Sequence, residues 1–230
     1  MEPKAEKNIH AGHRKRVKAR FREHGMDNFA EHEVLELLLY YAVPRGDVNP
    51  LAHALMERFG TLAGVMDADM EELCRMEGVG ENTALLIKLI PQFCRRYMMS
   101  RTSVGEVLNS TEKAGAYLIP RFYAKRDESV YMVCLDAKCK VLHCREISQG
   151  SVNSASVDVR KVVENALAHN ATQVIIAHNH TSGVAIPSRE DIETTRRLQS
   201  ALKAVDIDLV DHIIVADDDF VSLADNGYFR

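Results

Sequence analysis

The chain has 230 residues, 46% of them hydrophobic, and a formal net charge of −4. It is long enough for one large domain or two small ones with real hydrophobic cores. No apolar run approaches the roughly 20 residues that a membrane-spanning helix needs, and the charged amino terminus lacks the apolar core of a secretory signal. The five cysteines, an odd number without a compact framework, argue against a secreted disulfide scaffold. We therefore expect a cytoplasmic protein with reduced thiols and no membrane partner.

The first hundred residues have the pattern of helices, with proline at one predicted helix start and glycine directly after its end. The helical patterns cover 34–41, 50–59 and 70–76 and continue, after a pair of glycines, to about residue 96. A polar stretch that begins near Met99 breaks this pattern. We predict a smaller all-α module over 1–100 and a linker over 101–110.

Residues 73–84 of this module resemble a helix-hairpin-helix, a non-specific DNA-binding element. Glycines in such a hairpin let the backbone approach a ligand closely, and free amides at the start of the next helix can hold a phosphate. Gly78, Val79 and Gly80 are therefore the predicted DNA contacts. The alternative is a packing turn in which Gly78 ends one helix and Gly80 eases entry into the next. Glu81, next to the hairpin, would repel a phosphate.

A second basic feature is the segment 4–22, which includes the run from His13 to Arg16. Clustered positive charge of this kind attracts nucleic acid. The alternative is an ordinary solvated helix face, because Phe21 is the one aromatic residue here that could stack on bases. Both interpretations stay open at this point.

Beyond residue 110 the sequence alternates between strand and helix patterns. The predicted order is a β-hairpin at 130–135 and 140–147, a helix at 158–169, a strand at 172–177, a helix at 189–205 and a last strand at 207–215. This order predicts an α/β sandwich with the active site at strand ends, following the smaller all-α domain.

Two histidines and an aspartate have the spacing of a catalytic metal site. The β-branched run at 172–177 predicts a buried strand, so His178 and His180 lie at its carboxyl end and point to the same side. Ser188 stands where a helix N-cap is expected, and that helix start brings Asp191 back toward the histidines. Three protein ligands leave a fourth tetrahedral position for water, as in catalytic zinc sites. An ordinary structural explanation also exists, with the Ser-x-x-Asp pair as a helix cap and the histidines as a polar strand end.

These four residues match the JAMM signature of the JAB/MPN metalloprotease domains without a gap: His-x-His, seven residues, Ser, two residues, Asp. The surrounding sequence resembles the bacterial RadC subfamily, and the resemblance covers nearly the whole chain. The matching stretches are 12–16, 35–41, 44–45, 150–155, 159–160, 165–167, 177–180, 182–183, 187–188, 191 and 211–215.

The resemblance implies a cytidine-deaminase-like α/β sandwich of the JAB/MPN type over 111–230. By position it implies that His178, His180 and Asp191 bind one Zn²⁺ ion. It further implies that Ser188 helps to hold the tetrahedral intermediate of hydrolysis.

An upstream glutamate serves as general acid/base in the resembled family, and Glu146 is the best match. In many relatives this glutamate stands one residue further from the glycine than Glu146 stands from Gly150. A one-residue slip in a strand turns a side chain to the opposite face unless a bulge corrects it. Thr181 also replaces the proline of the usual His-Asn-His-Pro-Ser-Gly, which should soften the turn without removing a ligand.

Two residues near the predicted site have more ordinary interpretations. His212, at the start of the last predicted strand, has the place of a residue that orients a ligand, but we expect a plain structural role. Arg160 could support the site or a substrate carboxylate, and surface solvation is the more frequent role of an arginine.

Three functions remain open. The first is a zinc-dependent hydrolase with metallopeptidase or isopeptidase chemistry on an unidentified peptide or protein conjugate. The second is a DNA-binding or DNA-repair-associated protein whose metal domain is a nuclease or is not catalytic. The third, a nucleotide deaminase, is disfavoured because the His-x-Glu and Pro-Cys-x-x-Cys signature is absent.

Overall fold

The computed structural model describes residues 12–101, 104–150 and 157–229. The chain forms two compact units, Met1–Phe93 and Cys94–Arg230. The division falls within a helix that continues to Ser100. Within the described ranges, none of the helices combines the length and the apolar character that crossing a membrane requires.

The described part of the first unit contains helices joined by short turns, as the sequence predicts. Their bounds are α1 His13–His24, α2 Glu31–Ala42, α3 Asn49–Phe59, α4 Leu62–Asp67, α5 Met70–Cys74 and α6 Glu81–Ser100. Local signals explain several ends: Pro50 opens α3, Gly60 follows it, and Thr61 caps α4 by accepting a hydrogen bond from the Gly64 amide. Leucines of α2, α3 and α5 supply fully buried core side chains.

The second unit is a five-stranded sheet with helices on both faces. Its elements are α7 Thr111–Phe122, β1 Ser129–Leu135, β2 Val141–Gln149, α8 Val159–Ala168, β3 Gln173–Asn179, α9 Arg189–Lys203, β4 Asp208–Ala216 and β5 Asp219–Ser222. The strand order is β2-β1-β3-β4-β5, with β3 and β4 parallel and the other pairs antiparallel. The predicted α/β class is confirmed, and α7 and β5 are additions to the predicted elements.

The sheet separates two hydrophobic clusters. On one face Val130 and Met132 of β1 pack with residues of α8 and α9. On the other face Tyr131 and Val133 pack with residues of α7. The central strands β1 and β3 are therefore apolar almost throughout, because a strand covered on both faces has no polar side. This alternation decides which side chains at the strand ends can meet α9.

Helix α7 was not predicted from the sequence because Gly115 and Pro120 interrupt its helical pattern. Gly115 lies where α7 meets β5, and a Cβ at this position would overlap the ring of Phe220. The close approach of helix and strand therefore requires glycine here.

We expect Gly115→Ala to destabilise the protein, although alanine in a helix is favoured over glycine by about 1 kcal/mol. Overpacking against Phe220 should lower the free energy of unfolding by about 1–3 kcal/mol, measured by urea denaturation. The control is the same substitution in a Phe220→Ala background, where the added methyl has room and should be neutral or stabilising. Equal losses in both backgrounds would contradict the packing explanation.

Candidate metal centre

His178 and His180 lie at the carboxyl end of β3, and their rings meet on one side of the strand. The two Nε2 atoms are 3.0 Å apart. Asn179 turns to the other side, where its Oδ1 accepts a hydrogen bond of 2.8 Å from the amide of Ser129. The arrangement follows from the two-residue period of an extended chain, and it agrees with the prediction from the sequence.

Asp191 reaches the same point from the first turn of α9. Its Oδ1 lies 3.1 Å from Nε2 of His178, and its Oδ2 lies 3.3 Å from Nε2 of His180. Ser188 is the N-cap of α9, and the two side chains form a reciprocal capping box. The cap thereby holds the carboxylate against the end of β3.

The ligand atoms have the right chemistry for a cation. Nδ1 of His180 faces the carbonyl oxygen of Val184 at 3.2 Å, and because a carbonyl can only accept, this nitrogen carries the ring proton. The Nε2 lone pair of the neutral ring is then directed toward Asp191. Two imidazole nitrogens and one carboxylate are the ligand set of open zinc sites. In the part of the chain that is described, no other group of three or more His, Cys, Asp or Glu side chains converges within 4.8 Å.

The charge state of Asp191 is strongly biased. Burial acts to raise its pKa, but hydrogen bonds from the His178 and His180 rings when these carry a proton on Nε2, together with those from Ser188, outweigh burial and hold the pKa far below its ordinary value. The pKa of His180 is raised, chiefly by its hydrogen bond with Asp191. A buried carboxylate that stays ionised makes this strand end an anionic pocket suited to a divalent cation.

Comparison with known proteins identifies the family. The family profile described as "RadC-like JAB domain" matches residues 108–228. A UPF0758 protein from Nitrosococcus oceani is 36% identical over 212 residues, which cover 92% of this chain and 95% of that protein. The chain belongs to the RadC-like JAB domain family. The converging His, His and Asp side chains thus occur in a domain where a JAMM-type metal site is expected.

In this RadC-like domain the hydroxyl of Ser188 is engaged with Asp191. It donates to Oδ2 at 2.7 Å and accepts from the Asp191 amide at 3.1 Å, and the Ser188 amide donates to the same Oδ2 at 2.7 Å. Ser188 therefore fixes the carboxylate and leaves Oδ1 toward His178. Its predicted role in holding a reaction intermediate stays a prediction, since it needs the hydroxyl proton to turn away from Asp191.

Glu146, predicted as the acid/base, lies on the other face of the sheet. It pairs with Tyr131, whose neighbours pack against α7, whereas Val130 pairs with His178. Both carboxylate oxygens of Glu146 accept from Nζ of Lys125 at 2.9 Å, and the Tyr131 hydroxyl donates to Oε2 at 3.2 Å. The prediction for Glu146 is corrected on this geometry, which turns its carboxylate away from the metal centre.

The physical reason is the one-residue slip noted in the sequence. The pairing of β1 with β2 shifts between Val130 and Tyr131, and this irregularity follows Glu146 along β2, so it does not turn the residue over. Arg145, one residue earlier, pairs with Met132 and shares the face of the metal centre. Its guanidinium donates to Oδ1 of Asn165 at 3.0 Å. The position one residue further from Gly150 thus carries arginine in this chain.

Two buried residues, His212 and Thr195, lie on the Nδ1 side of His178, away from the Nε2 atom that faces Asp191. Nε2 of His212 on β4 lies 2.8 Å from Nδ1 of His178, and Nδ1 of His212 lies 2.5 Å from Oγ1 of Thr195 on α9. Complete burial lowers the pKa of His212 well below its ordinary value. His212 therefore contacts a candidate metal ligand directly, which goes beyond the plain structural role that the sequence predicts. The signal for Thr195 was present in the sequence as a threonine in the apolar stripe of α9, four residues after Asp191.

The predicted DNA contacts lie between α5 and α6. Gly78 has φ +86°, a conformation that favours glycine, and Val79 is buried in the helical core. A Cβ at Gly80 would meet nothing within 4 Å, and its φ is not positive. Gly78 and Val79 have structural explanations as a turn and a core residue. The structure does not explain Gly80 by packing.

The basic segment is partly engaged inside the helical unit. Residues 4–11 lie outside the described ranges. Arg14 donates to the carbonyl oxygens of Val43, Pro44 and Gly46, at 2.7 to 3.1 Å. These contacts anchor α1 to the turn after α2, which gives Arg14 a structural role. Of the other stretches that resemble the RadC subfamily, residues 151–155 also lie outside the described ranges.

We expect Glu146→Gln to lower the free energy of unfolding by about 1 kcal/mol at pH 7, because it weakens the pair with Lys125. Burial acts to raise the pKa of Glu146, but the hydrogen bond from Lys125 and the other contacts outweigh it and lower the pKa. The stabilisation is therefore present above the unfolded-state pKa of about 4.3 and is lost as the pH falls through the lowered folded-state value.

Urea denaturation of wild type and variant from pH 7 down to pH 3 measures this difference. Glu164→Gln, which removes the exposed pair with Arg160 on α8, is the matched control and should cost less than about 0.5 kcal/mol. A Glu146→Gln effect no larger than the control, or one that grows toward low pH, would argue against a part-buried ion pair.

Proposed function

We propose that this protein is a zinc-dependent hydrolase of the JAMM type, with metallopeptidase or isopeptidase chemistry on a peptide or a protein conjugate. His178, His180 and Asp191 would hold one Zn²⁺ ion. The observation that carries the proposal is the convergence of three electron-pair donors at the end of β3, with the proton of the His180 ring engaged on its far side. Membership in the RadC-like JAB family supports it.

When bound, the ion would polarise a substrate carbonyl and lower the pKa of a water molecule to about 7. The chain's own residues prepare that chemistry. Asp191 supplies a carboxylate that stays ionised, and Ser188 holds its orientation through two hydrogen bonds to Oδ2. Three ligands from one strand end and one helix start would leave room on a bound ion for water.

We assign the acid/base role to Glu128. This residue directly precedes β1 and lies two positions before Val130, the residue that pairs with His178. Side chains two apart on an extended chain share a face, so we infer that Glu128 lies on the same side of the sheet as His178. Its negative charge also adds to the effect of Asp191 in raising the pKa of His180. A carboxylate on this side can take a proton from water and deliver it to the leaving amine.

Zinc analysis after dialysis tests the ligand set. Wild type should retain one zinc per chain, whereas His180→Ala and Asp191→Ala should lose it, because two remaining ligands hold the ion too weakly. His169→Ala removes a histidine that stacks on His143 elsewhere and should keep zinc. A wild type without zinc, or an Asp191→Ala variant that keeps it, would overturn the site.

Cleavage of a peptide library, followed by mass spectrometry, tests the acid/base assignment. Glu128→Gln should keep zinc and lower turnover by about 10²-fold or more. Glu146→Gln should keep zinc and change turnover by no more than a few-fold. If Glu146→Gln lowered turnover strongly and Glu128→Gln did not, the acid/base role would belong to Glu146. A zinc-loaded wild type that cleaves no peptide or isopeptide substrate would count against the hydrolase itself.

A second function, DNA binding by the helical module, is favoured by one observation. Gly80 stands at the start of α6, its side is open, and neither conformation nor packing requires glycine there. Close approach of a ligand to the backbone is a physical reason for such a glycine. The amides at the start of α6 could then contact a phosphate. In this alternative the metal domain would be a nuclease or would not be catalytic.

Gly80→Ser distinguishes a DNA contact at this position from a purely structural turn, because serine caps a helix at least as well as glycine but adds a side chain. We expect unchanged thermal stability and a DNA affinity lowered by about tenfold, equivalent to about 1.4 kcal/mol. Fluorescence anisotropy with labelled duplex DNA at several salt concentrations measures it, and electrostatic binding should weaken as salt rises. Wild type that fails to bind DNA even at low salt would remove this function.

A further inference from the structure

We propose that Thr195 and His212 are positioning residues, which select the His178 tautomer with its proton on Nδ1 and so direct the Nε2 lone pair toward the metal. The inference rests on the proposed metal site and adds two residues to it. Both are almost fully buried, at 1% and 2% exposure. Thr195 lies one turn after Asp191 on α9, and His212 lies on β4 beside β3, where it pairs with Ile176.

The direction of the first hydrogen bond is determined by a carbonyl group. Oγ1 of Thr195 lies 2.6 Å from the backbone carbonyl oxygen of Asp191. A carbonyl only accepts, so the single hydroxyl proton of Thr195 is used there. Toward Nδ1 of His212, at 2.5 Å, the same oxygen can therefore only accept. Nδ1 of His212 must carry a proton.

The second bond follows from the first. A neutral imidazole has one N–H donor, and in His212 that donor is Nδ1, so its Nε2 accepts. A second proton would leave a buried positive ring whose described hydrogen bonds go only to His178 and Thr195, and a buried charge without an opposite partner is costly. Nδ1 of His178, 2.8 Å from this Nε2, is then the donor. In the neutral ring of His178 the remaining nitrogen, Nε2, then carries no proton, and its lone pair lies on the side of Asp191, whose Oδ1 is 3.1 Å away.

These hydrogen bonds form one continuous chain, the relay, which begins and ends on proposed metal ligands. It starts at the backbone carbonyl of Asp191, passes through Thr195 and His212, and ends at the ring of His178. Hydrogen bonds behind a ligating histidine commonly fix its tautomer and ring orientation. Here one continuous chain does this while tying α9 to β4 and β3. His180 reaches the same tautomer independently, through the Val184 carbonyl.

The test uses the full chain with a conservative pair of variants. Thr195→Val keeps the side-chain shape but removes the acceptor for His212, whereas Thr195→Ser keeps the hydroxyl. The primary measurement is made on metal-free protein with ¹⁵N-labelled histidine, above the ordinary histidine pKa of about 6.5. Long-range ¹H–¹⁵N spectra distinguish the two tautomers. Wild type and Thr195→Ser should show His178 with its proton on Nδ1, and Thr195→Val should shift population toward the Nε2–H form.

Zinc affinity is the second measurement, by competition with a chelator. Thr195→Val should weaken it by about 10- to 100-fold, whereas Thr195→Ser should stay within a few-fold. Leu198→Ala, which truncates a fully buried side chain on the same helix, controls for general destabilisation. It should lower stability and leave the His178 tautomer unchanged.

The outcomes separate this inference from the proposed function. A wild type with His178 protonated on Nε2 overturns the relay without any variant, and so does an unchanged tautomer in folded Thr195→Val. If the tautomers behave as expected while zinc-loaded protein hydrolyses nothing, the relay stands and the hydrolase proposal fails. The tautomer measurement needs neither zinc nor turnover, so it decides the relay even if wild type binds no zinc.

Discussion

The candidate metal centre depends on one buried anion, the carboxylate of Asp191. A carboxylate at 1% exposure is tolerable only where donors surround it. The amide and hydroxyl of Ser188 supply two hydrogen bonds, the start of α9 contributes the positive end of a helix dipole, and His178 and His180 face the remaining side. The Ser188–Asp191 capping box that begins α9 therefore also positions the carboxylate of the candidate site. The hydrogen bonds between Ser188 and Asp191 cap the helix and orient the carboxylate at the same time.

The sheet positions His178 and His180 opposite this carboxylate, at the end of the central strand β3 between β1 and β4. Because β1 and β4 flank β3 and helices cover both faces of the sheet, the apolar residues of β3 are buried on both faces, and polar side chains with site chemistry stand only at its end. His178 is then enclosed: Val130 pairs with it on one side, and His212 supports it from β4 on the other. Packing of α9 against the sheet places Thr195 where it joins the two halves of the site. The hydrogen bonds that join Asp191, Thr195, His212 and His178 are directional and depend on one another.

Membership in the RadC-like JAB family accounts for the ligand pattern but not for every position around it. The JAMM spacing is complete, and its members meet in space. The catalytic glutamate expected from the resemblance is turned to the α7 side, where Lys125 neutralises it. On the metal side of β2 this chain carries Arg145. A one-residue step along β2 thus separates the face of this ion pair from the face of the candidate metal centre. The proposed acid/base is therefore Glu128, directly before β1.

The sequence by itself determined what depends on neighbours along the chain. The period of a strand predicted that His178 and His180 share a side, the Ser-x-x-Asp cap predicted where Asp191 returns, and the two-part division into helices and an α/β sandwich followed from local patterns. Only the tertiary structure decided the face of Glu146, the engagement of Lys125 and the contact of Thr195 with His212. These depend on strand register and on the packing of α9 against β4, which join residues that are distant in sequence. Local periodicity carries no information about such pairings, because a strand can shift by one residue without changing its pattern.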